Sequence, residues 1–407
     1  MLSIGCLQPG HTFLQGTREV REHVCSVELP NRMMPPSSRR HHHIFASLSI
    51  EDEIDDEEED DWSDFELTEE EELWAKRLEE QLVADQLSRA AMEQLYLGPG
   101  DPLPLSNSAA EAIEACVNGG VARLASDLQP ETAVALRTFV LQELATQTQL
   151  EDGVEAAGRL SKVIAPTAAS GSSAATRWDL RLPMNVHVRS ALREMLCGDE
   201  ATLGQALEAA AGGREAELWE LGALISAPGA AAQIVHADVV WRPKPSLHTA
   251  FVALQPIDRA LGPTRFLPNT HENGDLHSAH VAHGDATALT AGGQPPGEGP
   301  PLPSQVALLA TGEVALYDAR CFHCGGANTH GGGQKTIEDA NGDGLRVLFY
   351  LTIRHADRAA EPAVPDPARS LLPSLDGGYT LGMLRDGLHR VDEVRRTKRL
   401  LELQRSG

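Results

Sequence analysis

His236 and Asp238 stand two residues apart in the run Gln233-Ile-Val-His-Ala-Asp-Val-Val-Trp241. The run reads as a strand, and residues two apart on a strand point to the same face. An imidazole and a carboxylate can therefore meet at one point. Those are two of the three donors of a 2-His-1-carboxylate facial triad, which holds Fe(II) and leaves coordination positions open. His-x-Asp is common by chance, and alone it also fits a half-buried strand with two polar residues. A third donor must come from elsewhere, since three facial ligands cannot all come from one strand. His323, 87 residues later, follows a predicted strand over Glu313–Asp318. It precedes Gly325, Gly326 and Asn328, where the backbone can bend sharply.

The best strand pattern in the chain is Leu345-Arg-Val-Leu-Phe-Tyr-Leu-Thr-Ile353. Arg346, Leu348, Tyr350 and Thr352 share one face, and Val347, Phe349, Leu351 and Ile353 share the other. Both faces are largely apolar, which predicts burial on two sides. An arginine at the mouth of such a strand wants a carboxylate, which guanidinium binds in a planar, bidentate way. An internal ion pair would meet that need. With iron present, so would the dicarboxylate 2-oxoglutarate.

Taken in order, Pro228-Gly-Ala, Gln233-x-x-His236-x-Asp238, Gly262-Pro-Thr-Arg-Phe-Leu-Pro-Asn-Thr-His271, His323-x-Gly-Gly-x-Asn328 and Arg346 resemble the phytanoyl-CoA dioxygenase family over roughly residues 107–357. These are Fe(II)- and 2-oxoglutarate-dependent oxygenases. The resemblance implies a mainly β fold with flanking helices, built on a double-stranded β-helix (jelly-roll, cupin-like) core. It implies Fe(II) bound by His236, Asp238 and His323, and 2-oxoglutarate clamped by Arg346. Two departures stand out. Asn269 and Thr270 replace the usual Gly and Ser, and the gap from His323 to Arg346 is 23 residues rather than about a dozen. The segment 329–344 is polar and Gly-rich, so a loop insertion accounts for the gap. Arg354 lies eight residues further on the same strand face and is the fallback anchor.

The expected activity is hydroxylation of a C–H bond of a small organic substrate by O2, with release of succinate and CO2. Family relatives that halogenate have a small residue in place of the carboxylate, so Asp238 argues for hydroxylation. No basic cluster is committed to CoA phosphates. Gln233, three residues before His236, faces the opposite side of a regular strand. A bend would bring it inward as a further donor in the cofactor site. His248 either lines the cavity or is a core histidine, and His271 closes a turn. Two alternatives compete. One is a non-catalytic β-helix protein that binds a metal or ligand, with the acidic tail recruiting a partner. The other is a cupin-like metal enzyme that does not use 2-oxoglutarate.

Net charge is −25 over 407 residues, but residues 51–72 hold 16 acidic side chains and no Lys or Arg. The remainder carries only −9, so the acidity belongs to a segment rather than to a folded surface, and nucleic-acid binding is disfavoured. No apolar run approaches the ~20 residues of a membrane span. Six cysteines in a chain of this length make no disulfide framework. Cys321 and Cys324 flank His323 without the second pair that a zinc site needs. Asp339 to Gly344 imitates the start of a calcium loop, but Tyr350 stands where its bidentate Glu belongs.

Residues 1–50, with arginines at 18, 21, 32, 39 and 40 and few acids, read as a leader or disordered arm. That composition is compatible with transit to a chloroplast or mitochondrion, the alternative being a cytoplasmic protein with a plain arm. Residues 51–67 form an acidic spacer or a docking segment for a protein partner. Thr68 and Glu71 make a capping box for an amphipathic helix over 68–97. Helices are predicted over 109–127, 130–148, 188–196 and 201–211, and strands over 217–227 and 246–254. Residues 284–304 suggest a loop at the barrel mouth, either a lid or an inert insertion. Residues 358–407 are a Pro-rich and then helical tail.

Overall fold

The doubly apolar and alternating runs build two facing sheets. The structure, a computed structural model, describes residues 73, 76, 77, 90, 91, 93–150, 160–162, 177–283, 301–330, 344–357 and 370–387. The strands are β1 (Asp101–Pro102), β2 (Leu105–Ser106), β3 (Val121–Ala125), β4 (Leu160–Lys162), β5 (Arg177–Arg181), β6 (Glu217–Ser226), β7 (Leu247–Ala253), β8 (Thr264–Phe266), β9 (Gln305–Val306), β10 (Glu313–Asp318), β11 (His323–Gly325) and β12 (Arg346–Arg354). The large sheet runs β2-β3-β10-β7-β12-β6-β5-β4, and the small one β1-β9-β8-β11. The sequential order within the two sheets is that of a double-stranded β-helix, mainly β with helices outside.

β12 sits between β6 and β7, antiparallel to both. Its outward residues Val347, Phe349, Leu351 and Ile353 are wholly buried in a core shared with helices Pro130–Leu150, Val186–Leu196 and Thr202–Ala210. Each such side chain contributes about 1.5–3 kcal/mol relative to exposure. Its inward residues Leu348 and Tyr350 pack with Phe251, Tyr317 and Phe266 between the sheets. Burial on both faces is thus as the apolar run predicts. A third, smaller core joins Leu97, Val235, Leu267, Phe322 and Cys324 beneath the segment that carries His236.

Two expectations are corrected. The helix expected to run to residue 127 stops at Gly119, because Gly120 adopts φ 82° and ends it in a left-handed cap. Val121–Ala125 then joins the large sheet beside β10. The run 233–241 is not a regular strand. Only His236 is bridged, to His323, and the chain bends at Asp238 and Val239. Residues 93–97 are helical, and Ala90, Glu93 and Leu97 are buried. The leader, the acidic segment, the capping box, loop 284–300, the calcium-like turn over 339–343 and the chain beyond 387 lie outside the described residues. Of the tail helix, Leu381–Arg385 is described. No helix among the described residues is long and apolar enough to cross a membrane.

Candidate metal centre

His236 and His323 face each other across one antiparallel pair. The His236 amide donates to the His323 carbonyl at 2.9 Å, and the His323 amide donates to that of His236 at 2.8 Å. Side chains of directly opposed residues lie on the same face, so the two rings come together, with centroids 4.6 Å apart. Each ring places Nδ1 against a backbone carbonyl, Ile234 for His236 and Cys321 for His323, both at 2.9 Å. With Nδ1 as the donor, each Nε2 offers its lone pair to the centre. Asp238 completes the group: Oδ1 is 3.4 Å from His323 Nε2 and 3.8 Å from His236 Nε2. One donor atom from each of the three lies within 4.8 Å of the others. His323 is buried, whereas the side chains of His236 and Asp238 are each 34% exposed, so the centre opens on their side.

The bend after His236 is pinned. Asp238 N donates to the Ala319 carbonyl at 3.0 Å. Arg320, paired with Asp318 at 2.6 Å, donates to the Arg242 and Pro243 carbonyls at 2.8 and 3.1 Å. Ionisation follows the crowding. Burial and the neighbouring His323 lower His236 to about 4. Burial works to raise Asp238, but the two imidazoles and the hydrogen bonds outweigh it and bring the carboxyl down to about 2. Burial works to lower His323, and Asp238 raises it in spite of that. A carboxylate set between two imidazoles is a donor set that a divalent ion can fill.

Gln233 faces the same interior as His236, and the reason is a bulge. Gln233 N donates to the Gly325 carbonyl, and Gly325 N donates to Gln233 Oε1, both at 2.9 Å. Four residues, Gln233 to His236, thus oppose three, His323 to Gly325. The extra residue restores the facing that a regular strand would reverse.

Arg346 opens β12, on the inward face with Leu348 and Tyr350. It donates to the Gly262 carbonyl and, at 3.0 Å, to Ser226 Oγ, while its buried Nε has no hydrogen-bond partner. A second guanidinium stands on the other side of Ser226: both Arg346 and Arg177 are cross-strand partners of that residue. Arg177 donates to the Ala231 and Gly326 carbonyls. Neither guanidinium has a carboxylate partner among the described residues. Burial and Arg177 push Arg346 well down, and burial lowers Arg177 to about 10. Two buried cations side by side cost several kcal/mol unless an anion joins them. Gly325 leaves room for this arrangement, since a Cβ there would lie 2.1 Å from Arg177 Nη1 and 2.6 Å from Gln233 Oε1.

The fallback Arg354 is taken. It is paired with Glu217, with its guanidinium 4.7 Å over the Trp219 ring. The long gap before Arg346 is bridged by Asn328, whose amide holds the Ser226 carbonyl at 3.0 Å and that of Gly344 at 2.8 Å. Both ends of the insertion are tied together, so its length does not move β12. His248 neighbours Asp318 on the sheet face opposite Thr249, away from the centre, and His271 accepts its turn role by bonding the Val117 carbonyl at 3.0 Å. Neither Cys321 nor Cys324 belongs to the metal-binding group among the described residues. Sequence reasoning missed Arg177 and Tyr317. The alternation Arg177-Trp-Asp-Leu-Arg181 put Arg177 and Asp179 on one face, but a strand end gives no hint of a partner two strands away.

The profile of the phytanoyl-CoA dioxygenase (PhyH) family matches residues 137–335, a span that contains His236, Asp238 and His323. Over that span, just under half of its length, the chain is similar to the phytanoyl-CoA dioxygenase family. Members of this family use Fe(II) and 2-oxoglutarate, and the donor set and the paired cations of this oxygenase suit both. Among solved structures it is similar to the non-heme α-ketoglutarate-dependent carbocyclase SnoK from nogalamycin biosynthesis, at 16% identity over 63% of this chain and 87% of that one, TM-score 0.40. It is also similar to AviO1 from Streptomyces viridochromogenes Tue57, at 18% identity over 64% and 98%, TM-score 0.40. A prolyl-4-hydroxylase from Pseudomonas putida matches at 11% identity over 61% and 98%, TM-score 0.35. No curated protein matches the chain.

Proposed function

We propose that this protein hydroxylates a C–H bond of a small organic substrate, using Fe(II), 2-oxoglutarate and O2 and releasing succinate and CO2. The observation that carries the reading is a His-Asp-His group together with two buried guanidiniums, Arg346 and Arg177, that have no carboxylate partner among the described residues. His236, Asp238 and His323 would hold the metal, which when bound activates O2 at the expense of the keto acid. Arg346 would bind the far carboxylate of 2-oxoglutarate, with Ser226 and Arg177 beside it. The Gln233 amide would steady that co-substrate from the small-sheet side. Phe251, Phe266 and Leu348 are buried together in the apolar core between the sheets, on the inward side that Arg346 shares. The retained carboxylate favours hydroxylation over halogenation.

The test is anaerobic addition of 2-oxoglutarate to the Fe(II)-loaded protein. The reading expects a weak visible charge-transfer band that disappears in His236→Ala and in Arg346→Met. An iron-loaded, folded sample with no band would remove 2-oxoglutarate from the account. Uncoupled succinate formation, followed by a screen of small substrates for a gain of one oxygen, would then tell hydroxylation from other oxidations.

A further inference from the structure

Asp238 uses its two oxygens differently. Oδ1 faces both Nε2 atoms, while Oδ2 accepts a hydrogen bond from Tyr317 at 2.8 Å. Tyr317 is wholly buried on β10 and does not act alone. Its cross-strand partner on β7 is Thr249, Thr249 pairs with Thr352 on β12, and Thr352 pairs with Glu220 on β6. One row thus crosses four neighbouring strands of the large sheet at one level, on the face turned toward the centre. Thr249 stands directly opposite Tyr317 across the strand pair, the Thr249 and Thr352 hydroxyls are 3.0 Å apart, and Thr352 donates to Glu220 Oε2 at 2.6 Å. The far end is capped by Ser370 N, which donates to Glu220 Oε1 at 3.2 Å.

We propose that Tyr317, Thr249, Thr352 and Glu220 form a positioning relay that holds Oδ2 of Asp238 and so aims Oδ1 at the metal. The inference rests on the metal reading above. Its physical basis is the contrast between the two ends. Asp238 sits on an irregular, partly exposed bend, where a carboxylate is free to rotate and to chelate with both oxygens. A phenol fixed in the most regular part of the fold removes that freedom. Tyr317 gives its hydrogen to Asp238, and at the far end Thr352 donates to Glu220 Oε2. Hydrogen bonds within one network strengthen one another. Partners that orient metal ligands are worth roughly 10- to 100-fold in metal affinity.

The test is Co(II) titration of the full apo-protein, read by the visible ligand-field bands and by affinity, with circular dichroism as the check on folding. Tyr317→Phe keeps the ring and is expected to weaken Co(II) by about 10-fold and to change the band shape, as Asp238 becomes free to bind through both oxygens. Thr249→Val, Thr352→Val and Glu220→Leu break the relay without touching Asp238, so they test it even if the Tyr317 variant fails to fold. They should shift the bands the same way by smaller amounts. Glu220→Gln, whose amide oxygen still accepts from Thr352, should restore the wild-type spectrum. If wild-type protein binds Co(II), His236→Ala abolishes the bands, and the Tyr317, Thr249 and Thr352 variants all match wild type, the relay is wrong and the metal site stands. If wild-type protein takes up no Co(II), the metal reading falls and the relay falls with it.

Discussion

The two sheets do opposite work around the centre. The small sheet is made of strands of two or three residues, and His236 reaches it through a single bridge. The large sheet is long-stranded, buried and continuous from β3 to β5. The irregular side carries the metal donors, because convergence of three donors needs a bulge, a bend and a tight turn. The regular side carries the proposed anion anchors Arg346 and Arg177 and the proposed relay behind Asp238, because these must hold buried charge and direction without drift. Irregular backbone brings side chains together, and regular backbone keeps them there.

The largest effect should separate the sides completely. Replacing His236 by Ala should weaken metal binding more than 100-fold by calorimetry, while the melting temperature of the metal-free protein changes by only a few degrees, since its side chain is partly exposed. An unchanged metal affinity would break the assignment of the small sheet.

Arg346→Met should act in the reverse sense. The protein should take up Fe(II) as before but bind 2-oxoglutarate about 100-fold more weakly, the loss of a bidentate charge-assisted contact. Lys in its place should rescue little, because a point charge cannot replace the planar fork.

Glu220 gives a stability test of the large sheet. Burial, with the nearby Asp238 and Asp179 carboxylates, raises Glu220 to about 7 against a model-peptide 4.5. The folded state therefore holds a proton that the unfolded state has released between those values. The contribution is fully present below about 4.5 and is lost as pH rises through about 7. The loss is on the order of 2 kcal/mol, and urea unfolding of Glu220→Gln should show a flatter profile than wild type across that window. Equal slopes would place Glu220 in contact with water.

The smallest change tests the seam between the sheets. Gly325→Ala adds one methyl where Arg177 and Gln233 meet, and it should weaken 2-oxoglutarate about 10-fold while leaving metal affinity within a factor of about 2. Equal damage to both would mean that the two halves of the site are not separable.

The sequence by itself carried the donor identities and most of the frame. Period-2 apolar alternation marked β6, β7, β10 and β12, since a strand buried on one or both faces writes its geometry into consecutive residues. His236, Asp238 and His323, which the structure brings together, and Arg346 were singled out as candidates from type, order and the family resemblance. Tertiary structure alone decided what depends on residues far apart in the chain. The bulge that turns Gln233 inward is visible only against Gly325. Arg177 gains meaning only beside Arg346, with Ser226 between them. Tyr317, Thr249, Thr352 and Glu220 lie as much as 132 residues from their hydrogen-bond partners in the row. A hydrogen bond is set by distance in space, and the sequence records only distance along the chain.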